Sequence, residues 1–132
     1  MSVESIVIAT DLNKTFKAEQ KDLDDVQALQ GINMQIKTGK LTALVGPDGA
    51  GKTTFLRLIA GLYKPTTGSL KVLGMDVAKD PQSVQDRISY MPQKFGLYED
   101  LSIQENLDLY ADLHGVPMDV RKERFARLLK IT

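Results

Sequence analysis

At 132 residues the chain has the size of one ordinary domain, or part of one, and leaves no room for a second. A hydrophobic share of 42% and a charged share of 26% are those of a globular protein and exclude disorder and collagen-like structure. Seventeen basic residues balance 17 acidic ones, which argues against nucleic acid as a partner, while the lack of cysteine and the single histidine exclude disulfides, thiolate chemistry and histidine-rich metal sites.

Met1-Ser2-Val3-Glu4 lacks the basic start and apolar run of a signal peptide, and no stretch approaches the ~18 apolar residues of a membrane helix. A cytosolic location is expected, with any membrane work done through another protein. Ile6 to Phe16 reads as a strand and the acidic stretch Lys17 to Asp25 as a loop. Ile32, Met34 and Ile36 alternate with polar residues as in a half-buried strand, and Thr38-Gly39-Lys40 predicts a turn that folds it antiparallel onto Leu41. Leu41 to Val45 is nearly all apolar, which predicts a strand of a parallel sheet, covered on both faces.

Thr53 to Ala60 has helical spacing, with Gly61 as C-cap and Pro65 beyond it. Leu70 and Val72 predict a short strand ending at Gly74, Asp80-Pro81 opens a short helix to about Arg87, and Ile88 to Met91 returns to strand. Ser102-Ile103-Gln104-Glu105 is a capping box for a helix stopped by Gly115 and Pro117. Asp119 predicts the cap of a last helix whose apolar stripe of Phe125, Leu128 and Leu129 is still running at Thr132. An α/β architecture follows, β-rich at the start and helical at the end.

The chemistry-bearing feature is Gly46-Pro47-Asp48-Gly49-Ala50-Gly51-Lys52-Thr53, a match to G-x-x-x-x-G-K-[ST]. Its glycines let the backbone curl so that successive N–H groups point at one anion, at a helix start whose amides lack intrahelical partners. With glycine near 7% of residues, a chance match is on the order of one in 10⁴ to 10⁵ per position. The motif therefore predicts a nucleoside triphosphate on Gly46, Asp48, Gly49, Ala50, Gly51, Lys52, Thr53 and Thr54. Lys52 would reach the β- and γ-phosphates, the Thr53 hydroxyl Mg²⁺, and Thr54 the α-phosphate. Transporters, small-molecule kinases, GTPases and helicases all use such a loop.

The remaining motifs discriminate. With the loop, Ala60-Gly61-Leu62, Pro65-Thr66-Thr67-Gly68, Tyr90-Met91-Pro92-Gln93 and Leu101-Ser102-Ile103-Gln104-Glu105-Asn106-Leu107 resemble the ABC-transporter ATPases in order and spacing over nearly the whole chain. Met91 to Leu101 is most similar to the ATPases of bacterial ABC-2 type multidrug exporters. The resemblance implies a P-loop NTPase-type core with an antiparallel β subdomain before it and the start of a helical subdomain after it. The boundaries would be 1–40, 41–95 and 96–132, together an incomplete, amino-terminal part of one domain.

Further expectations come with the family. Phe16 would stack on adenine, the alternative being a core phenylalanine. Gln93 would act with Lys52 in catalysis, facing Mg²⁺ or the attacking water. The segment from Gln93 to Leu101, with exposed Phe95, Leu97 and Tyr98, would face a transmembrane permease subunit, and a second ATPase domain would complete the ATP sites. ATP and Mg²⁺ are the implied ligands, the inner face of the cell membrane the implied location, and export driven by ATP the implied function. A soluble ABC ATPase and a truncated nucleotide-binding protein are the alternatives. Asp48 departs from the family's usual asparagine or serine, and the acidic loop after Phe16 is longer than usual. No Leu-Ser-Gly-Gly-Gln signature, Asp-Glu strand or switch histidine follows Gln93, so residues 1–132 alone are expected to be inactive in hydrolysis.

Overall fold

A computed structural model describes residues 4–94 and 96–131. Phe95, expected in the partner-facing segment, and Thr132 lie outside the described residues. The chain divides between Tyr90 and Met91 into two compact units.

The first unit is built on β1 (Ser5–Phe16) and β2 (Val26–Lys37), an antiparallel pair running from Ser5 opposite Lys37 to Phe16 opposite Val26. β3 (Thr67–Val72) pairs with the other edge of β1 and β4 (Met75–Asp76) with β3, giving the order β2-β1-β3-β4. The β1 register slips between Ala9 and Leu12, where Asp11 takes a positive φ of 44°. Asparagine side chains replace the interrupted ladder there. Asn33 Oδ1 accepts from the Asp11 N–H at 3.0 Å, and Asn13 Oδ1 from the Gly31 N–H at 2.8 Å. Across from this bulge a Cβ on Gly68 would lie 2.0 Å from the Asp11 carbonyl oxygen, so only glycine lets β3 approach.

Period-two patterning turns Val7, Ala9, Leu70 and Val72 inward, where helix α1 (Lys52–Ile59) presses Phe55 and Leu58 onto them. Leu12, Leu58, Leu70, Val77 and Val84 are fully buried. Each such side chain contributes roughly 1.5–3 kcal/mol through removal from water. The helix ends at Ala60 with a Schellman motif: Gly61 N–H bonds to Leu58 O, Leu62 N–H to Arg57 O, and Gly61 has a φ of 70°. The C-cap is thus Ala60, one residue before the glycine assigned to it. Helix α2 (Pro81–Gln85) opens as expected, with Asp80 Oδ1 accepting from the Ser83 N–H at 3.1 Å.

Two predicted strands are absent. Leu41 to Val45 forms no ladder, with Leu41 and Val45 at 103% and 89% exposure, so neither the hairpin into Leu41 nor the covered parallel strand is found. Residues 88–91 form no strand either, and the sheet among the described residues is wholly antiparallel. Backbone becomes sheet only where another strand offers N–H and C=O groups, and among the described residues none is offered to these runs. β2 pairs instead with β1, the strand before it.

The second unit holds α3 (Ile103–Leu113) and α4 (Met118–Leu129). The capping box is complete: Ser102 Oγ accepts from the Glu105 N–H and Glu105 Oε2 from the Ser102 N–H. Gly115, at a φ of 62°, ends α3 after its C-cap His114. Pro117, not Asp119, stands at the N-cap of α4, and Asp119 sits in its first turn, where a negative charge favours the helix dipole. No residue of α4 is buried, and Leu128 and Leu129 remain about half exposed. Buried Asn106 ties the preceding loop to α3. Its Nδ2 donates to the carbonyls of Tyr98, Leu101 and Ser102, and its Oδ1 accepts from the Tyr98 N–H.

Candidate functional site

The glycine loop leads straight into α1. Gly49 and Gly51 have φ of 79° and 95°, and Gly51 is the N-cap, a left-handed position with no side chain to cap the helix. Its carbonyl accepts the first helical bond, from the Phe55 N–H at 2.9 Å. The N–H groups of Lys52, Thr53 and Thr54 therefore open the helix with no intrahelical acceptor, at the positive end of its dipole. Such an end favours an oxyanion.

Gly51 is constrained twice, because a Cβ there would lie 2.6 Å from the Ala28 carbonyl oxygen and 2.8 Å from Leu29 Cδ2. The start of α1 thus rests against β2. Lys52 folds back over the loop, its Nζ donating to the carbonyls of Gly46 and Pro47, both at 2.6 Å. A positive charge is held inside the curl. Gly46, Pro47, Asp48, Gly49, Ala50 and Thr53 are exposed, with Gly51, Lys52 and Thr54 half-buried. Asp48 makes no ion pair among the described residues.

Phe16 ends β1 opposite Val26, two residues along β2 from the Ala28 carbonyl that abuts Gly51. One stretch of β2 therefore borders both the aromatic and the loop. The half-buried Phe16 ring stands edge-to-face to Tyr63, centroids 5.2 Å apart. Lys14 Nζ lies 5.0 Å from the Phe16 centroid and 5.7 Å from that of Tyr63. Arg57, on α1, donates to the Tyr63 hydroxyl at 3.2 Å. Hydrogen bonds from Tyr90 and Tyr63 hold its guanidinium above the usual arginine value. Just beyond the Phe16–Val26 end of the ladder, Lys17 and Asp25 pair at 2.6 Å. The Asp25 carboxyl is held below its ordinary value by that hydrogen bond and by the Ala18 N–H, so the acidic loop is pinned to the strand end.

A magnesium ion fits the donor set only in part. The exposed Thr53 hydroxyl at the helix opening is an oxygen ligand of the required kind. No group of three or more His, Cys, Asp or Glu among the described residues could hold a metal. Phosphate oxygens would therefore have to complete the shell beside Thr53. Gln93 is exposed at the start of the second unit, as are Leu97 and Tyr98. In that unit Leu97, Tyr98, Leu101, Leu107, Leu128 and Leu129 line an open apolar hollow of about 450 Å³. Sequence reasoning missed Tyr63 and Lys14. Lys14 stands two residues from Phe16 in a strand, but Tyr63 meets it only through the tertiary fold.

Among the described residues no helix is long and apolar enough to cross a membrane. The family model for ABC transporters matches residues 29–132. The chain is 46% identical over 129 residues to the probable multidrug ABC transporter ATP-binding protein YbhF of Escherichia coli, covering 98% of this chain and 22% of that protein. It is 33% identical to the ABC transporter ATP-binding protein NatA of Bacillus subtilis, covering 95% of this chain and 50% of the relative. The dimeric ATP-binding cassette MJ0796 bound to ADP and Pi superposes with a TM-score of 0.78 at 26% identity, over 94% of this chain and 56% of that one. The chain thus spans between about a fifth and about half of these proteins' length. A glycine loop feeding an uncapped helix, a family match over most of the chain and 46% identity to a transporter's ATP-binding protein lead to one conclusion: the chain belongs to the ABC transporter family.

Proposed function

We propose that the chain is the ATP-binding part of an ABC exporter's energy-coupling subunit, with Mg-ATP held on Gly46 to Thr54. The observation that carries this is the opening of α1, where Gly51 caps with bare backbone and Lys52 keeps its ammonium within the loop. The amides from Gly49 to Thr54 cradle the β-phosphate, and Lys52 leaves its two carbonyl acceptors for the β- and γ-oxygens, a charge-assisted exchange. Phe16 offers a π-face to adenine. The Thr53 hydroxyl would hold a magnesium ion together with phosphate oxygens, and such an ion would supply neutralisation of charge on the phosphates. Gln93, by resemblance, orients the attacking water.

Hydrolysis also needs residues that stabilise the transferring group, and the signature, Asp-Glu strand and switch histidine are not among these 132 residues. Residues 1–132 by themselves bind ATP and turn it over negligibly. The segment Gln93 to Leu101, with exposed Leu97 and Tyr98 beside the apolar hollow, faces a transmembrane permease subunit at the inner face of the cell membrane. A second ATPase domain closes over the nucleotide, a reading supported by the dimeric state of the similar cassette MJ0796. The multidrug name of the YbhF relative supports export. Titration with Mg-ATP, read against circular dichroism, tests the assignment: Lys52→Ala should lose nucleotide and keep the fold, and unchanged affinity would overturn it.

A further inference from the structure

Phe16 does not stand alone at the end of β1. The chain leaving α1 is stapled to that strand end by four hydrogen bonds: Thr66 N–H to Asn13 O at 2.9 Å, Thr15 N–H to Thr66 Oγ1 at 2.9 Å, Thr66 Oγ1 to Thr15 O at 3.4 Å, and Lys14 Nζ to Lys64 O at 2.9 Å. The staple brings the Tyr63 ring to 5.2 Å from that of Phe16 with an interplanar angle of 75°, the edge-to-face arrangement that aromatic quadrupoles favour. Tyr63 is itself held from the helix side, its hydroxyl accepting from Arg57 and its ring lying 5.8 Å from the guanidinium carbon. The Lys14 ammonium lies over both rings. Lys14 and Tyr63 thus pack on the Phe16 ring, and Arg57 holds Tyr63 from the helix side.

We propose that Tyr63 is a positioning residue for nucleobase recognition: it locks the Phe16 ring in a single orientation, braced by Arg57 and Lys14, so that the ring meets the base already ordered. The inference rests on the reading that Phe16 stacks on adenine. Because α1 begins at the phosphate loop and carries Arg57 on its last turn, the brace also ties the ring's orientation to the element that holds the phosphates. A ring ordered in advance loses little rotamer freedom on binding, and the gain belongs to the base and not to the phosphates.

The test compares two probes, Mg-ATP and inorganic tripolyphosphate with magnesium, on the full chain and its variants. Tyr63→Leu should weaken Mg-ATP by about three- to tenfold, the range expected from losing one aromatic pair and the order it imposes. Tripolyphosphate affinity should stay within about twofold, and Tyr63→Leu should add less than about twofold in a Phe16→Leu background, as coupled residues require. Tyr63→Phe keeps the ring contacts but loses the Arg57 hydrogen bond, and should fall between the parent and Tyr63→Leu; a loss as large as that of Tyr63→Leu would overturn the role given to the ring. Equal losses for both probes would make Tyr63 merely structural and overturn the inference, as would an unchanged Mg-ATP affinity in Tyr63→Leu alongside a loss in Phe16→Leu. If Phe16→Leu itself leaves Mg-ATP binding unchanged, the base-stacking reading fails first and the inference falls with it.

Discussion

The β1–β2 hairpin and the segment from Leu41 to Thr54 lie side by side in sequence and behave oppositely. Both contain apolar residues with strand character, but the hairpin finds its ladder partners within the chain and buries Val7, Ala9, Leu12 and Leu29, whereas Leu41 and Val45 are exposed and unpaired among the described residues. The hairpin is held by its own hydrogen bonds. In the later segment the Ala50 N–H donates to the Pro47 carbonyl, but the N–H groups of Lys52 to Thr54 open α1 with no intrahelical acceptor, and those amides are what an anion can use. Stability and ligand binding are therefore assigned to neighbouring stretches, and substitutions should separate them.

Leu12 is fully buried beside the bulge, so Leu12→Ala should cost about 2–5 kcal/mol in a urea melt, whereas Leu41→Ala, at an exposed position, should stay within about 0.5 kcal/mol. Equal losses would mean that the Leu41 run is packed after all, and the contrast would fail. Lys52→Ala is the converse: about a hundredfold loss in Mg-ATP affinity, from charge-assisted bonds worth roughly 1.5–3 kcal/mol, with an unshifted melt. Gly51→Ala sits where the two regions touch. Its methyl would meet the Ala28 carbonyl oxygen at 2.6 Å on a backbone with a φ of 95°. It should lower stability by about 2 kcal/mol and weaken nucleotide binding together.

A smaller effect than that of Gly51→Ala is expected in the second unit. Ser102→Ala removes the cap of α3 and should cost about 1 kcal/mol with no change in the first unit's melting. Glu105 carries the pH dependence of that cap. Hydrogen bonds from Ser102 hold its carboxyl below the ordinary 4.5. A depressed carboxylate contributes fully above 4.5 and loses its contribution as pH falls through the lowered folded value. α3 should therefore loosen in acid, and Ser102→Ala should shrink that acid sensitivity, read as helical circular dichroism from pH 6 downward.

How far the sequence reached follows from the same contrast. The capping box, Asp80-Pro81, Thr53 to Ala60 and the glycine loop are local signals, set by bonds within one turn, and each appears within a residue or so of its expected place. Leu41 to Val45 and Ile88 to Met91 were legible as strand-forming but not as unpaired, because pairing depends on residues elsewhere. The first half of β2, Val26 to Gln30, carries no clean alternation and owes its strand to the β1 ladder. At the candidate site the glycine turn and the helix it opens were readable from spacing alone. Tyr63 was not, because 47 positions separate it from Phe16 and the hydrogen-bonded staple has no local signature.

Backbone amide chemical shifts, recorded by ¹⁵N-edited NMR during titration with Mg-ATP, test the central claim most directly. The largest and saturable shifts should fall on the N–H groups from Gly49 to Thr54, and tripolyphosphate should reproduce them while sparing Phe16 and its neighbours. Saturable shifts elsewhere with Gly49 to Thr54 unmoved would contradict the account, since an anion would then be bound without the helix opening that defines the site.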